Sequence, residues 1–159
     1  MWLPDETFKR VIQYTPLISI DLIVRNEQGE VLLGKRVNAP AKGYWFVPGG
    51  RVRKNETLDD AFVRLVKEEL GIESGITRAD AKFLGAFEHF YDDCVFGDDI
   101  STHYVVLAYQ ISVQMLIKEN IDQHYSYCFL SELKLLKNIN VNINSKNYFN
   151  GFLGLNLWN

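Results

Sequence analysis

The stretch from Pro48 to Ile72, PGGRVRKNETLDDAFVRLVKEELGI, constrains this chain more than any other. A tight glycine pair, Gly49-Gly50, precedes a segment in which Leu58, Ala61, Phe62, Leu65, Val66 and Leu70 recur at spacings of three and four. That period predicts a helix from Thr57 with one buried stripe, stopped by Gly71. Glu68 and Glu69 fall on its last turn, and Glu69 lies four residues after Leu65, on the same edge. Hard oxygens of this kind suit Mg²⁺, which keeps waters and takes one or two carboxylates together with substrate phosphates. Spacing leaves Glu68 open between a ligand and a solvated partner of Arg64 at i, i+4.

Around this segment the pattern alternates in type without strict order. Asp5 caps an expected first helix with Phe8, Val11 and Ile12 on its apolar face, ended by Thr15-Pro16. LISIDLIV at 17–24 and VLLGKR at 31–36 read as a hairpin across the polar turn NEQGE. FLGAFEHFY, THYVVLAYQISV and YSYCFL read as further strands, and Ser131 caps a last helix with Leu133, Leu135 and Leu136 in the core. The fold class expected is α/β (α+β), a mixed sheet between helices. At 159 residues the chain fits a single domain, 1–159.

Composition narrows the function. A net charge of -3 without a basic stripe argues against nucleic acid as partner or substrate. Cys94 and Cys128 are the only cysteines and have neither metal-ligand nor redox spacing, so they read as packed thiols in a reducing compartment. No signal-peptide core or membrane span is apparent, and the expectation is a cytoplasmic protein with no membrane partner.

GGRVRKNETLDDAFVRLVKEELGI resembles the Nudix box: Gly, five residues, Glu, seven residues, Arg-Glu, an aliphatic, any residue, Glu-Glu, any residue, Gly and an aliphatic. Gly50, Glu56, Arg64, Glu68, Glu69, Gly71 and Ile72 fall in register. Leu65 departs from it, because the pattern asks for glutamate there. A leucine cannot coordinate a cation, so a cluster of metals built on three carboxylates loses a ligand and a compensating charge. One group of the family, the GDP-mannose mannosyl hydrolases, shares this departure: water attacks the anomeric carbon of the sugar and GDP leaves. The similarity extends through TPLISIDLIV, LLGKR, GYWFVPGGRV, HFYDD and THYVV to Gln123-His124, and is poor from about Asn138 onward.

The resemblance implies a Nudix fold and one Mg²⁺ per active site, held by the Gly49 carbonyl, Glu69 and Gln123. It makes His124 the general base, an imidazole able to take a proton from water near neutral pH. It puts Arg36 and Arg51 on the diphosphate, Tyr104 on the leaving phosphate and His89 near the sugar, with His103 structural. Trp2, Leu3 and Phe8 match a segment that contacts the nucleotide and crosses a homodimer interface. By the residues alone, Arg36, Arg51, Gln123 and His124 could equally be surface groups, and Tyr104 and the N-terminal apolar residues packing. Asp21, inside an apolar strand, is costly to bury unless it is paired, and is expected near Arg36 or the sugar. Three readings follow. The first is hydrolysis of a GDP-sugar, mannose or glucose, at carbon; the second is a nucleotide-sugar diphosphatase acting at phosphorus; the third is a binding module without turnover.

Overall fold

The structure, a computed structural model, describes residues 3–97, 99–113 and 124–150, with the backbone alone described at His124 and Tyr125. Its centre is β1 (Leu17–Arg25), where Ile20, Leu22, Ile23 and Val24 are all fully buried. A strand apolar on both faces belongs in the interior of a sheet. β1 accordingly pairs in parallel with β6 (Thr102–Ser112) from Leu17↔Tyr104 to Arg25↔Ser112, and β5 (Lys82–Tyr91) pairs antiparallel on the far side of β6.

The other edge of β1 is divided between two partners. β2 (Val31–Arg36) joins it at Arg25↔Val31, while β4 (Gly49–Arg51) joins it from Ser19↔Arg51 to Asp21↔Gly49. β2 also pairs antiparallel with β3 (Trp45–Phe46) and with β7 (His124–Leu130). The hairpin expected over residues 17–36 therefore holds at its turn, where Asn26 Oδ1 accepts from the amides of Gln28 and Glu30 at 3.1 and 2.9 Å. Beyond that turn its two arms go to different partners, because the long parallel ladder to β6 and the short ladder to β4 occupy β1. Among the described residues the sheet has seven strands and is mixed.

Helices cover both faces. On one, α2 (Leu58–Leu70) lays Ala61, Phe62, Leu65, Val66 and Leu70 against Ile20, Leu22, Val24 and Tyr109. Thr57 caps it by accepting from the Asp60 amide, and Gly71 ends it in the left-handed region at φ 67°, where glycine has no steric penalty. On the other face Ile23, Val31, Leu33 and Val47 meet Leu135, Val141 and Phe149 from the C-terminal segment. That segment holds α3 (Glu132–Lys137) and a helix absent from the sequence reading, α4 (Ile143–Asn147). It is laid along β3 by Trp45 N to Asn140 O at 2.9 Å and Asn142 N to Trp45 O at 3.0 Å.

Three local expectations are corrected. Asp5 does not cap α1 (Asp5–Tyr14): Pro4 holds the N-cap position, and Asp5 lies in the first turn, where its charge still favours the positive helix end. Ser131 occupies the N-cap of α3 without a side-chain capping bond. Leu133 is 64% exposed, because a helix this short turns only Leu135 and Leu136 onto the sheet. The first-helix face is as expected, with Phe8, Val11 and Ile12 packed on Leu17 and Cys94. Among the described residues no helix is long and apolar enough to cross a membrane.

Leu65, 2% exposed, packs against the glycine pair: a Cβ added at Gly50 would lie 2.6 Å from Leu65 Cδ2. Leu65→Ala is expected to cost about 2–5 kcal/mol in urea unfolding. Gly50→Ala should also destabilise, and the double variant should lose less than the sum, since the smaller residue removes the overlap. Strict additivity would show that the two positions are not in contact.

Candidate active site

Because β2 and β4 diverge along the edge of β1, a cleft of about 650 Å³, counted with its open mouth, lies between the two halves of the sheet. It is lined by Ser19 and Asp21 of β1, Arg36 at the end of β2, the 46–51 segment, and His89, Tyr91 and Tyr104 of β5 and β6. Strand alternation explains the set. Ser19 and Asp21 share a face, as do His89 and Tyr91, and Tyr104 is the register partner of His89. The close approach of β4 requires glycine at 49: a Cβ there would stand 2.5 Å from both Asp21 Oδ1 and the Ile20 carbonyl.

The lining carries both cationic and acceptor groups. Arg36 sits over the Phe46 ring at 5.2 Å, and Arg51 over the Phe8 ring at 3.8 Å. Burial lowers the proton affinity of the Arg51 guanidinium, partly offset by Tyr104, and burial raises that of the Tyr104 phenol. Asp21 is pushed up to about 7, first by burial and also by the Glu69 charge, while a hydrogen bond from Tyr148 and the Arg36 charge pull it down. The Tyr148 hydroxyl donates to Asp21 Oδ2 at 2.6 Å and lies 3.1 Å from His89 Nε2. His89 is 4% exposed, and burial drives its imidazole down to about 4, so it is neutral at physiological pH.

Behind the cleft the carboxylates of the 48–72 segment divide their work. Glu56 accepts twice from Arg64, at 2.5 and 2.8 Å, and from the Arg53 amide at 2.8 Å, and Arg64 donates a further bond to the Arg51 carbonyl at 2.8 Å. This clamp holds the loop that follows β4 onto α2. Glu68 takes the structural alternative left open by spacing, bonded to Arg64 at 2.8 Å and to Arg53 at 3.1 Å. Glu69 is different: it is 1% exposed, its charge reaches Asp21, and it is not itself among the lining residues.

A family model described as NUDIX domain matches residues 15–148. The chain belongs to the Nudix hydrolase family. It is 46% identical over 111 residues to the low-salt glycan biosynthesis protein Agl8 of Haloferax volcanii, a match covering 70% of this chain and 68% of that protein. Over 57 residues it is 42% identical to an ADP-ribose pyrophosphatase of Methanocaldococcus jannaschii, 36% of this chain and 33% of that one. Among solved structures, the MutT protein from Methanosarcina mazei Go1 superposes with a TM-score of 0.69 at 24% identity, over 87% of this chain and 94% of that one. That likeness is one of fold.

One cleft brings together Asp21, Arg36, Gly49, Arg51, His89 and Tyr104, six positions singled out in the sequence. Leu3 and Phe8 do not line it, although Phe8 lies beneath Arg51. Trp2, Gln123 and the His124 side chain lie outside the described residues; the His124 backbone is the register partner of Arg36. Ser19, Tyr91 and Tyr148 were missed. The period-two pairing with Asp21 and with His89 was a usable signal for the first two, and nothing local announced Tyr148.

The residues fit a hard divalent cation. Two carboxylates, Asp21 and Glu69, interact repulsively in a poorly solvated region beside the Gly49 backbone, and a cation relieves such repulsion. Among the described residues no three His, Cys, Asp or Glu side chains gather to hold a metal, so an ion here needs backbone, amide, water or substrate oxygens.

The clamp gives a pH prediction. Its bonds from Arg64 hold Glu56 at about 2 against an ordinary 4.5. A carboxylate depressed in this way stabilises the fold fully above its unfolded value and loses that contribution as pH falls through the folded one. Glu56→Gln should therefore be less stable than the parent at neutral pH, and its urea midpoint should change less between pH 4.5 and 2. Parallel pH profiles for the two proteins would contradict the clamp.

Proposed function

We propose that this Nudix chain hydrolyses a GDP-sugar, GDP-mannose or GDP-glucose, by attack of water at the anomeric carbon with inversion, releasing GDP and the free sugar. The observation that carries the reading is Leu65. It stands where the family pattern has a glutamate, and it is packed into the core against Gly50, which removes one carboxylate from any multi-metal arrangement for attack at phosphorus.

Displacement at carbon suits the cleft. The bond from the anomeric carbon to the phosphate oxygen breaks, the leaving group keeps the electron pair, and positive charge builds on the sugar. Arg36 and Arg51 bind the phosphate oxygens and take up the negative charge developing on them, and Tyr104 donates a hydrogen bond to the same group. Asp21 and His89 hold sugar hydroxyls at the opposite end. His124, adjoining Arg36 across β2 and β7, receives the proton of the attacking water. The Gly49 carbonyl, Glu69 and Gln123 would hold Mg²⁺, which would supply charge neutralisation at the diphosphate. Trp2, Leu3 and Phe8 are assigned to the nucleotide in this reading, and Phe8 under Arg51 lies next to a leaving-group residue. A homodimer and a cytoplasmic location belong to the same reading.

The relative named for glycan biosynthesis supports a sugar substrate. A second reading, cleavage between the phosphates, draws on the relatives named as ADP-ribose pyrophosphatase and RNA pyrophosphohydrolase, which match over a third to a half of this chain. Hydrolysis in ¹⁸O-labelled water separates the two: the label is expected in the released sugar, and label in phosphate would replace the first reading by the second. His124→Gln should lower kcat by about a hundredfold or more with substrate affinity retained. An unchanged kcat would remove His124 from the reaction.

A further inference from the structure

The C-terminal helix touches the cleft at more points than its length suggests. Ser145 Oγ accepts from the Val47 amide at 3.1 Å, Asn144 hydrogen-bonds Tyr91, and Tyr148, just beyond α4, reaches Asp21 and His89. Val47, Tyr91, Asp21 and His89 all line the cleft, and they sit on three different strands or their junctions. Tyr148 does not line it. Its ring is held edge-on against Phe87 at 4.8 Å and tilted against His89 at 5.6 Å, so packing fixes where the hydroxyl lies.

A phenol has one hydrogen and an oxygen that can accept. When Asp21 is ionised the hydrogen goes to Asp21 Oδ2, so the oxygen accepts from His89, and His89 Nε2 carries the ring hydrogen. A neutral imidazole then has Nδ1 as a bare acceptor. Asp21 keeps Oδ1 as its other acceptor, on the side facing Gly49. The hydroxyl thus converts two side chains that could each rotate or change tautomer into a fixed pair of acceptors. Phosphate oxygens gain nothing from such a pair, whereas the hydroxyls of a hexose donate to it.

We propose that Tyr148 is a positioning and specificity-determining residue: its hydroxyl ties Asp21 and His89 into one acceptor pair that selects the sugar of the substrate by its hydroxyl groups. The proposal rests on the nucleotide-sugar reading and deepens it, assigning the C-terminal segment to the sugar end of the cleft. Arg36 and Arg51, at the diphosphate end, are outside the tie.

The test uses the full chain. With ¹⁵N-labelled histidine, the ring signals of His89, identified by their loss in His89→Gln, are expected to report the Nε2–H tautomer in the parent protein. The Nδ1–H tautomer there would overturn the proposal, and this arm needs no Tyr148 variant to fold. In Tyr148→Phe the signals should move toward a mixture of tautomers. Its kcat/KM for GDP-mannose should drop about tenfold or more, the effect of losing one charge-assisted hydrogen bond, while affinity for GDP with Mg²⁺ stays within about twofold. Unchanged kcat/KM, or GDP affinity falling in parallel, would overturn it. A parent protein inert toward GDP-sugars but locked in the Nε2–H tautomer would retire the nucleotide-sugar reading alone and leave the tie standing; an active protein with the other tautomer would do the reverse.

Discussion

The close approach of β1, β4 and α2 at the Gly49-Gly50 pair is the contact on which the rest of the molecule depends. At Gly49 a side chain would run into Asp21 and the β1 backbone, and at Gly50 into Leu65. These two absences let β4 lie on one end of β1 while β2 holds the other end, and the cleft is the gap that this division leaves. The same contact gives Leu65 a structural use: its Cδ2 fills the space that Gly50 leaves. The Glu56–Arg64 clamp then fixes the following loop by bonding the Arg51 carbonyl, so the backbone of one cleft-lining residue is held by a group with no access to the ligand.

Burial acts differently on the acidic, neutral and basic groups of this cleft. In a poorly solvated site fixed charges act over longer range than in water. Asp21 answers by holding its proton up to about 7, and His89 by staying neutral down to about 4. A guanidinium cannot respond in that way, because an arginine side chain keeps its charge under all ordinary conditions. The cleft therefore offers permanent donors and positive charge beside acceptor groups.

What was legible in the sequence was local and periodic. The three-and-four spacing from Leu58 to Leu70 gave α2 nearly to its ends, and Asp21 stood out because a carboxylate in LISIDLIV has to be used. The family motif supplied Gly49, Arg51 and Glu69 in register, and the structure brings Gly49 and Arg51 to the cleft with Glu69 buried behind. What was not legible depended on distant pairings. The arms of the apparent hairpin separate because β6, some eighty residues later, offers β1 a nine-pair parallel ladder. Tyr148 meets Asp21 across 127 residues, and no pattern near either one encodes that bond. Leu133 was misjudged for a related reason: three leucines close together in α3 carry no information on which side the sheet lies.

The leucine at 65 also bears on the charge of the site, and here the structural and chemical arguments meet. Asp21, ionised only above about 7, and Glu69 set their carboxyl groups beside the positive charges of Arg36 and Arg51 in one region. Glu56 and Glu68 are already engaged with Arg53 and Arg64, and do not enter the sum. A glutamate at 65 would add a charge next to Gly50, in a place that is 2% exposed, and buried charge is costly until something cancels it. Leucine at 65 leaves no such charge to cancel and fills the space beside Gly50 instead.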